Sequence, residues 1–450
     1  MEFPHSLTGF LDENGIDISF CRGQSYDNAS NMAGKYGGLQ AKVKELCSYA
    51  DFVPCSAHSL NLVGTCAAES CQQALLFFTF VAGLYNFFSA STGRWGKLAT
   101  AISENSSHPL TVKKLSGTRW AERAGATQSV EENYPIILDV LEKLSNCEDQ
   151  KAEVRLQAEG FLKMMNKLET GVMVIFWNKI LQQFQKTSVS LQAEDLCLSK
   201  AYALYESLMG YVQSFKGTFA AIEEQAKTLT DCEEYEEEYR RPRRRNKRYD
   251  NEDSTETEDN LTASEKYKVK TFDVILECLH SELSKRQKAY KQLYKIFGVF
   301  EELRLSESDK LVEKSKKLAS SYPDDLEESL ADEMVQFSSL LKSQIASSIN
   351  PQKNYEIQLY KLIKDKQLEA TFPNVEIALR IFLSLMVSNC SGERSFSHLK
   401  RIKNELRSSM KQKRLNHLSL LNIEHELLRE INIHDIIKDF ANLKARKTAI

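Results

Sequence analysis

The chain has 450 residues, 42 % of them hydrophobic, with 59 Lys and Arg against 62 Asp and Glu for a net charge of −3. That is enough apolar material for one large or two to three ordinary domains, and the charge balance excludes a surface that coats nucleic acid as a whole. Eighteen Gly and eight Pro exclude a collagen-like chain, a loop-rich β-sandwich and global disorder, which leaves a mostly helical protein.

In chain order, the opening MEFPHSLTGFLDENG has neither a basic start nor an apolar run, so no secretory leader is expected. The ten cysteines then read as free thiols of a reducing compartment. Ile16, Ile18 and Phe20 alternate with polar residues and predict a short strand. The stretch CRGQSYDNASN is turn-rich, and Gly34, Gly37 and Gly38 cluster just beyond it. A helix is expected from about Leu39 to Tyr49, then a short apolar run at Phe52-Val53-Pro54-Cys55. A second helix is expected near His58, with Leu60, Val63 and Ala67 at helical spacing. This alternation is that of an α/β layer. Leu75 to Phe88 is apolar but shorter than the roughly 20 residues of a membrane helix, and it predicts a buried helix.

From about Glu122 to Gln358 strand signals fade. Ile136, Val140 and Leu144, then Leu156, Phe161 and Met164, then Leu204, Leu208 and Val212 follow a helical repeat, as in an all-α domain. The stretch 231–260 interrupts it with acidic, basic and again acidic runs, too polar to bury itself, and predicts a disordered charged loop. Within it Arg240, Arg241, Arg243, Arg244, Arg245, Lys247 and Arg248 read as a nuclear-import signal, a nucleic-acid contact or a self-neutralising solvated run. Beyond Asn350-Pro351 come a loop at Phe372-Pro373-Asn374, a helix over Val375–Val387, and then a turn with one or two basic amphipathic helices.

Four blocks occur in order along the chain: CRGQSYDNASNMAGKYGGLQ, VPCSAHSLNLV, GTRW, and SGERSFSHLKRIKNELRSSMKQKRLNHLSLLNIEHEL. Together they resemble the hAT transposase superfamily, specifically domesticated members such as the zinc finger MYM-type one-like proteins. The resemblance implies an RNase H-like core interrupted by a large all-helical insertion, with a last segment used for dimerisation. The expected fold is therefore mostly α with a small α/β part. Residues 1–121 would be a partial RNase H-like core whose opening strands are missing. Residues 122–350 would be the helical insertion, and 351–450 the remainder of the core with the dimerisation segment.

The family's chemistry uses three carboxylates to hold two divalent metals roughly 4 Å apart, one activating water and one stabilising the leaving oxygen. Mg²⁺ and Mn²⁺ take oxygen ligands, so Asp and Glu are the residue types required. By the resemblance Asp27 matches the second catalytic Asp and Glu393 the catalytic Glu. The residues alone also permit Asp27 to cap a turn and Glu393 to sit favourably in a helix first turn. The first catalytic Asp has no counterpart: Asp12 and Asp17 do not match its motif. Where the family has a Leu-Pro pair before this block, the chain has Leu385-Met386. An inactive transposase remnant is expected, with no cofactor, and with Mg²⁺ or Mn²⁺ on Asp27 and Glu393 only if active. The alternative is an active metal-dependent transposase or nuclease, should an upstream Asp exist.

For the remaining candidates the blocks and the residues allow more than one reading. His58 of the Cys55-x-x-His58 pair either faces a former DNA site or caps its helix. Cys47, Cys55, His58, Cys66 and Cys71 do not have the spacing of a common zinc module. Arg119 and Trp120 suit a phosphate and a base, while a Trp in a helical protein also serves as an interface anchor. Arg394, Lys400, Arg401, Lys403 and Arg407 form either a phosphate surface or a solvated face behind Phe396, Leu399, Ile402 and Leu406. Leu415, Leu418, Leu421, Ile423 and Leu427 make an apolar stripe wider than one core contact needs, which predicts a partner surface. The expected function is dimerisation with itself or a related hAT-like protein, and weak DNA binding, in the nucleus, with no membrane and no small-molecule substrate.

Overall fold

The computed structural model describes residues 3–105, 111–115, 120, 123–193, 196–236, 261–304, 307–344 and 355–442. The basic run at 240–248 lies outside them, as does Arg119. The chain divides into two compact units, Met1–Ser388 and Asn389–Ile450.

The first unit opens with helix α1 (Phe3–Glu13) and a small parallel β-α-β arrangement. Strand β1 (Gly23–Tyr26) pairs with β2 (Asp51–Pro54) in the register Gly23↔Asp51 to Tyr26↔Pro54. The short helices α2 (Ser30–Ala33) and α3 (Leu39–Leu46) make the crossover. The strand expected at Ile16–Phe20 is displaced. Asp17 accepts a hydrogen bond from the Ser19 N–H at 2.8 Å and winds Ile18–Phe20 into a 3-10 turn, and the strand follows in the stretch read as turn-rich. β1 is polar in sequence, yet its Gln24 is buried because its amide donates to the carbonyls of Gln40 (3.1 Å) and Ala50 (3.0 Å). Gly23 is required there: a Cβ would lie 2.5 Å from the carbonyl oxygen of Ser384. Leu39, Val43, Cys47 and Ala50 form the local core of this layer.

This layer is fastened to the helices. Arg22 donates to both oxygens of Asp325 at 2.6 and 2.7 Å, Tyr49 to Asp324 at 2.7 Å, and Tyr322 to Asp51 at 2.9 Å. Burial and the Asp51 carboxylate push the Tyr322 phenol upward from its ordinary value.

After β2 come α4 (Ser56–Ala68), α5 (Gln72–Ser89), α6 (Thr92–Asn105), α7 (Arg123–Glu132), α8 (Tyr134–Ser145) and α9 (Ala152–Met165). α5 is the helix expected at Leu75–Phe88, buried along Phe77, Phe78, Val81, Leu84 and Phe88 but with Leu75 and Leu76 exposed, and among the described residues no single helix is long and apolar enough to cross a membrane. The all-helical reading of 122–358 holds for the described residues: α10 (Leu168–Leu191), α11 (Leu198–Ser214), α12 (Phe219–Thr230), α13 (Ala263–Tyr267), α14 (Asp273–Phe297), α15 (Val299–Glu302), α16 (Ser308–Ser321), α17 (Leu330–Gln344) and α18 (Tyr355–Asp365). α10 supplies the longest buried stretch, with Val172 through Trp177, Ile180, Leu181 and Phe184 enclosed by α4, α5, α7, α9, α11 and α12. A single π-turn, Lys268–Phe272, leads into α14. Leu156 is the exception among the periodic apolar positions; it is exposed on α9.

The unit closes with α19 (Pro373–Ser384), whose free N–H groups at Asn374 and Val375 are capped by the Glu333 carboxylate at 2.9 and 3.1 Å. α19 ends at Ser384, short of Val387. Leu385 and Val387 turn inward and Met386 outward, and the Val387 carbonyl accepts the Ser56 N–H at 2.9 Å. The second unit contains α20 (Cys390–Ile402), α21 (Gln412–Ile423), α22 (His425–Glu430) and α23 (Ile433–Asn442).

Candidate functional site

In a parallel sheet, ligand chemistry gathers beyond the carboxyl ends of the strands. Asp27 and Asn28 follow directly on β1, and Cys55 and the start of α4 follow directly on β2. The two ends are tied together: the Cys55 N–H donates to the Tyr26 carbonyl at 2.9 Å, and the Asn28 amide to Ser59 Oγ at 2.9 Å. From behind, Tyr290 donates to the Pro54 carbonyl (2.9 Å), Tyr205 to the Ser56 carbonyl (2.8 Å), and Arg286 Nε to the Ser59 carbonyl (2.9 Å). Helices α11 and α14 thus fix this strand-to-helix junction, and burial raises the pKa of both phenols.

Asp27 is half-buried, and one of its carboxylate oxygens accepts the Ala29 N–H at 3.1 Å, closing the turn into α2. Among the described residues no group of three His, Cys, Asp or Glu side chains is gathered as a metal would need. His58 is half-buried in the first turn of α4. Cys55 is fully buried and Cys47 belongs to the core of the β-layer, so these two thiols are packing residues.

Trp120 corrects an expectation. It is 3 % exposed, and its ring packs edge-on against Phe78 (centroids 4.9 Å apart) and tilted against Trp177 (5.4 Å). Gly64 of α4 lies flat against it, where a Cβ would stand 2.4 Å from the ring. The Arg123 guanidinium sits 4.6 Å from the ring centroid. Both faces are occupied by protein, so Trp120 anchors α4 and α5 to α10 and presents nothing to a base. Burial lowers the Arg123 pKa.

The second unit has the opposite character. Cys390, Ile402 and Leu415 are its buried apolar residues among those described, and eleven large apolar side chains are exposed. Leu415 is thus buried and is removed from the expected partner surface. Leu418 is half-buried, whereas Leu421 (49 %), Ile423 (67 %) and Leu427 stand out, joined by Leu420. Phe396 (71 %) and Leu406 (95 %), two of the apolar residues opposite the basic positions, are exposed as well. Arg394, Lys400, Arg401, Lys403 and Arg407 all reach solvent, and Glu393 is half-buried in the first turn of α20. The apolar stripe read from the sequence stopped too early. Ile431, Ile433, Ile436, Ile437 and Phe440 continue it, and their helical spacing was legible.

A surface this apolar on a small unit is that of a chain built to be covered. Residues 341–427 match the model of the hAT family C-terminal dimerisation region. That match supports a relationship to the hAT family and suggests self-association. No solved structure matches the chain. The matched stretch runs from the end of α17 into α22. Its part in the first unit, α18 and α19, is packed into the core, and its part in the second unit, α20–α22, carries exposed apolar side chains.

Proposed function

We propose that this chain is a domesticated, transposase-derived nuclear protein, similar to the zinc finger MYM-type one-like group, that works by pairing two copies and not by cutting DNA. The observation that carries this reading is the run of exposed apolar side chains on α21 and α22 inside the segment matched to the hAT dimerisation region. Covering such side chains is the main favourable term in association. The β-layer is read as a remnant of an RNase H-like core, with Asp27 and Glu393 as inherited positions. The turn-capping hydrogen bond of Asp27 supports a structural use of that carboxylate.

Binding to a DNA backbone is the secondary activity of this reading. Between Glu393 and Arg414 eight Lys and Arg side chains face two carboxylates, Glu393 and Glu405, and the positions on α20 and beyond it are exposed. Contacts of this kind position a protein on phosphates without reading sequence, and they weaken as salt rises.

Sedimentation equilibrium tests the main reading. The wild-type chain is expected at twice its 51.3 kDa mass, and Leu421→Asp with Ile423→Asp is expected to raise the dimer Kd at least about tenfold. A wild-type chain that remains monomeric throughout the micromolar range overturns the reading. Mn²⁺-dependent nicking of DNA that is lost in Glu393→Gln would replace the non-catalytic reading with an enzymatic one.

A further inference from the structure

The matched dimerisation region ends at residue 427, and α23 lies beyond it. None of the described residues of α23 is buried. Ile433, Ile436, Ile437 and Phe440 fall at i, i+3, i+4 and i+7, the spacing of anchors on one helix face, and each is exposed, Ile436 by 53 %. α22 and α23 are separated by two residues, Ile431 and Asn432, with the Asn432 side chain accepting the His434 N–H at 3.1 Å to start the helix. The exposed side chains of Leu427 and Ile431 carry the apolar run from the matched region into this helix.

The polar residues of α23 are sorted by charge. At about 100° per residue, His434 lies about 110° to one side of the centre of the apolar stripe, and Asp439 about 110° to the other. Lys438 stands further round on the His434 side, and Asp435 further round on the Asp439 side. One flank is therefore basic and the other acidic. When two copies of such a helix meet stripe to stripe in parallel, their two-fold axis runs along the helices and sets the basic flank of one against the acidic flank of the other. In antiparallel pairing the axis crosses the helices and sets like flanks together, Asp435 and Asp439 against their own counterparts. The parallel arrangement covers the stripe and pairs the charges at once.

We infer that α23 is a second dimerisation element outside the matched region, and that its occupant is α23 of a second copy, packed in parallel. The inference rests on the self-association proposed above and adds a partner and an orientation to it. α23 of one copy closes on α23 of the other, with Ile433, Ile436, Ile437 and Phe440 forming the seam and His434 facing the partner's Asp439 on each side.

The test uses the full chain and the dimer Kd from sedimentation. Removing residues 433–450 is expected to raise the Kd about tenfold or more, and Asp439→Lys to raise it severalfold by placing a cation opposite the partner's His434 flank. Combining Asp439→Lys with His434→Glu restores an opposite-charge pair between positions 434 and 439 and is expected to return the Kd to near the wild-type value. His434 and Asp439 are both exposed, and the helical circular dichroism signal of the point variants should match that of the wild type. Asp439→Lys that tightens the dimer would overturn the parallel pairing in favour of the antiparallel one. A truncation that leaves the Kd unchanged, while Leu421→Asp with Ile423→Asp still breaks the dimer, would overturn the role of α23 and leave the α21–α22 dimer standing. A wild-type chain that never dimerises would overturn both.

Discussion

The contact between Gly64 and Trp120 offers a quantitative test of whether Trp120 is a core anchor. A methyl group at Gly64 would lie 2.4, 2.5 and 2.9 Å from Cε3, Cδ2 and Cγ of the indole, all below any ordinary contact. Two terms oppose each other in Gly64→Ala. Replacing a glycine inside a helix gains about 1 kcal/mol, and overpacking the core costs about 1–3 kcal/mol. With Trp120 present the substitution should therefore be neutral to about 2 kcal/mol destabilising. Trp120→Ala alone should cost about 3–5 kcal/mol, since it removes a buried ring with aromatic neighbours at 4.9 and 5.4 Å. In the Trp120→Ala background the clash is gone, and Gly64→Ala should stabilise by about 1 kcal/mol. The double-mutant cycle then carries a coupling of about 1–3 kcal/mol. Urea unfolding followed by circular dichroism reads all four corners. An effect of Gly64→Ala that is the same in both backgrounds would refute the packing argument. So would a Trp120→Ala variant as stable as the wild type.

Three further expectations follow from the same structure. Arg22→Ala should destabilise by about 1–3 kcal/mol in urea unfolding, because it strips a two-pronged partner from a mostly buried Asp325 carboxylate. Tyr205→Phe should cost about 1–2 kcal/mol by leaving the buried Ser56 carbonyl without its phenol donor, with unchanged dimer Kd as the control. Burial raises the Glu356 pKa above its ordinary 4.5, so the folded state holds this proton more tightly than the unfolded one. The associated stability is present in full below the unfolded value and is lost as pH rises through the higher folded value. Glu356→Gln should remove that loss, flattening the fall in stability above pH 4.5, and a pH series of unfolding midpoints checks it.

Helix was the easier part of this fold to read. The 3.6-residue repeats of Val140 and Leu144 and of Leu208 and Val212 are one-dimensional properties, and each of these residues is buried as its repeat implied. The strand was harder. β1 has no alternating apolar signal, because it is held by pairing with β2, by the Gln24 amide and by the close approach of Ser384 to Gly23. The alternation at Ile16, Ile18 and Phe20 pointed elsewhere, since the Asp17 cap bends that segment locally before any sheet can recruit it.

By itself the sequence determined the helical content, the charge-sorted composition and the apolar stripe of the C-terminal helices, all of which follow from residue type and spacing. Only the tertiary structure decided which of those residues reach solvent. Trp120 and Leu415 carry the same sequence signal as a surface anchor, yet both are buried, Trp120 by neighbours distant in the chain. Leu421 and Ile423, of the same predicted stripe as Leu415, are left uncovered. Burial is set by what packs on a residue and not by the residue, so a stripe becomes core or interface only when the rest of the chain has taken its place.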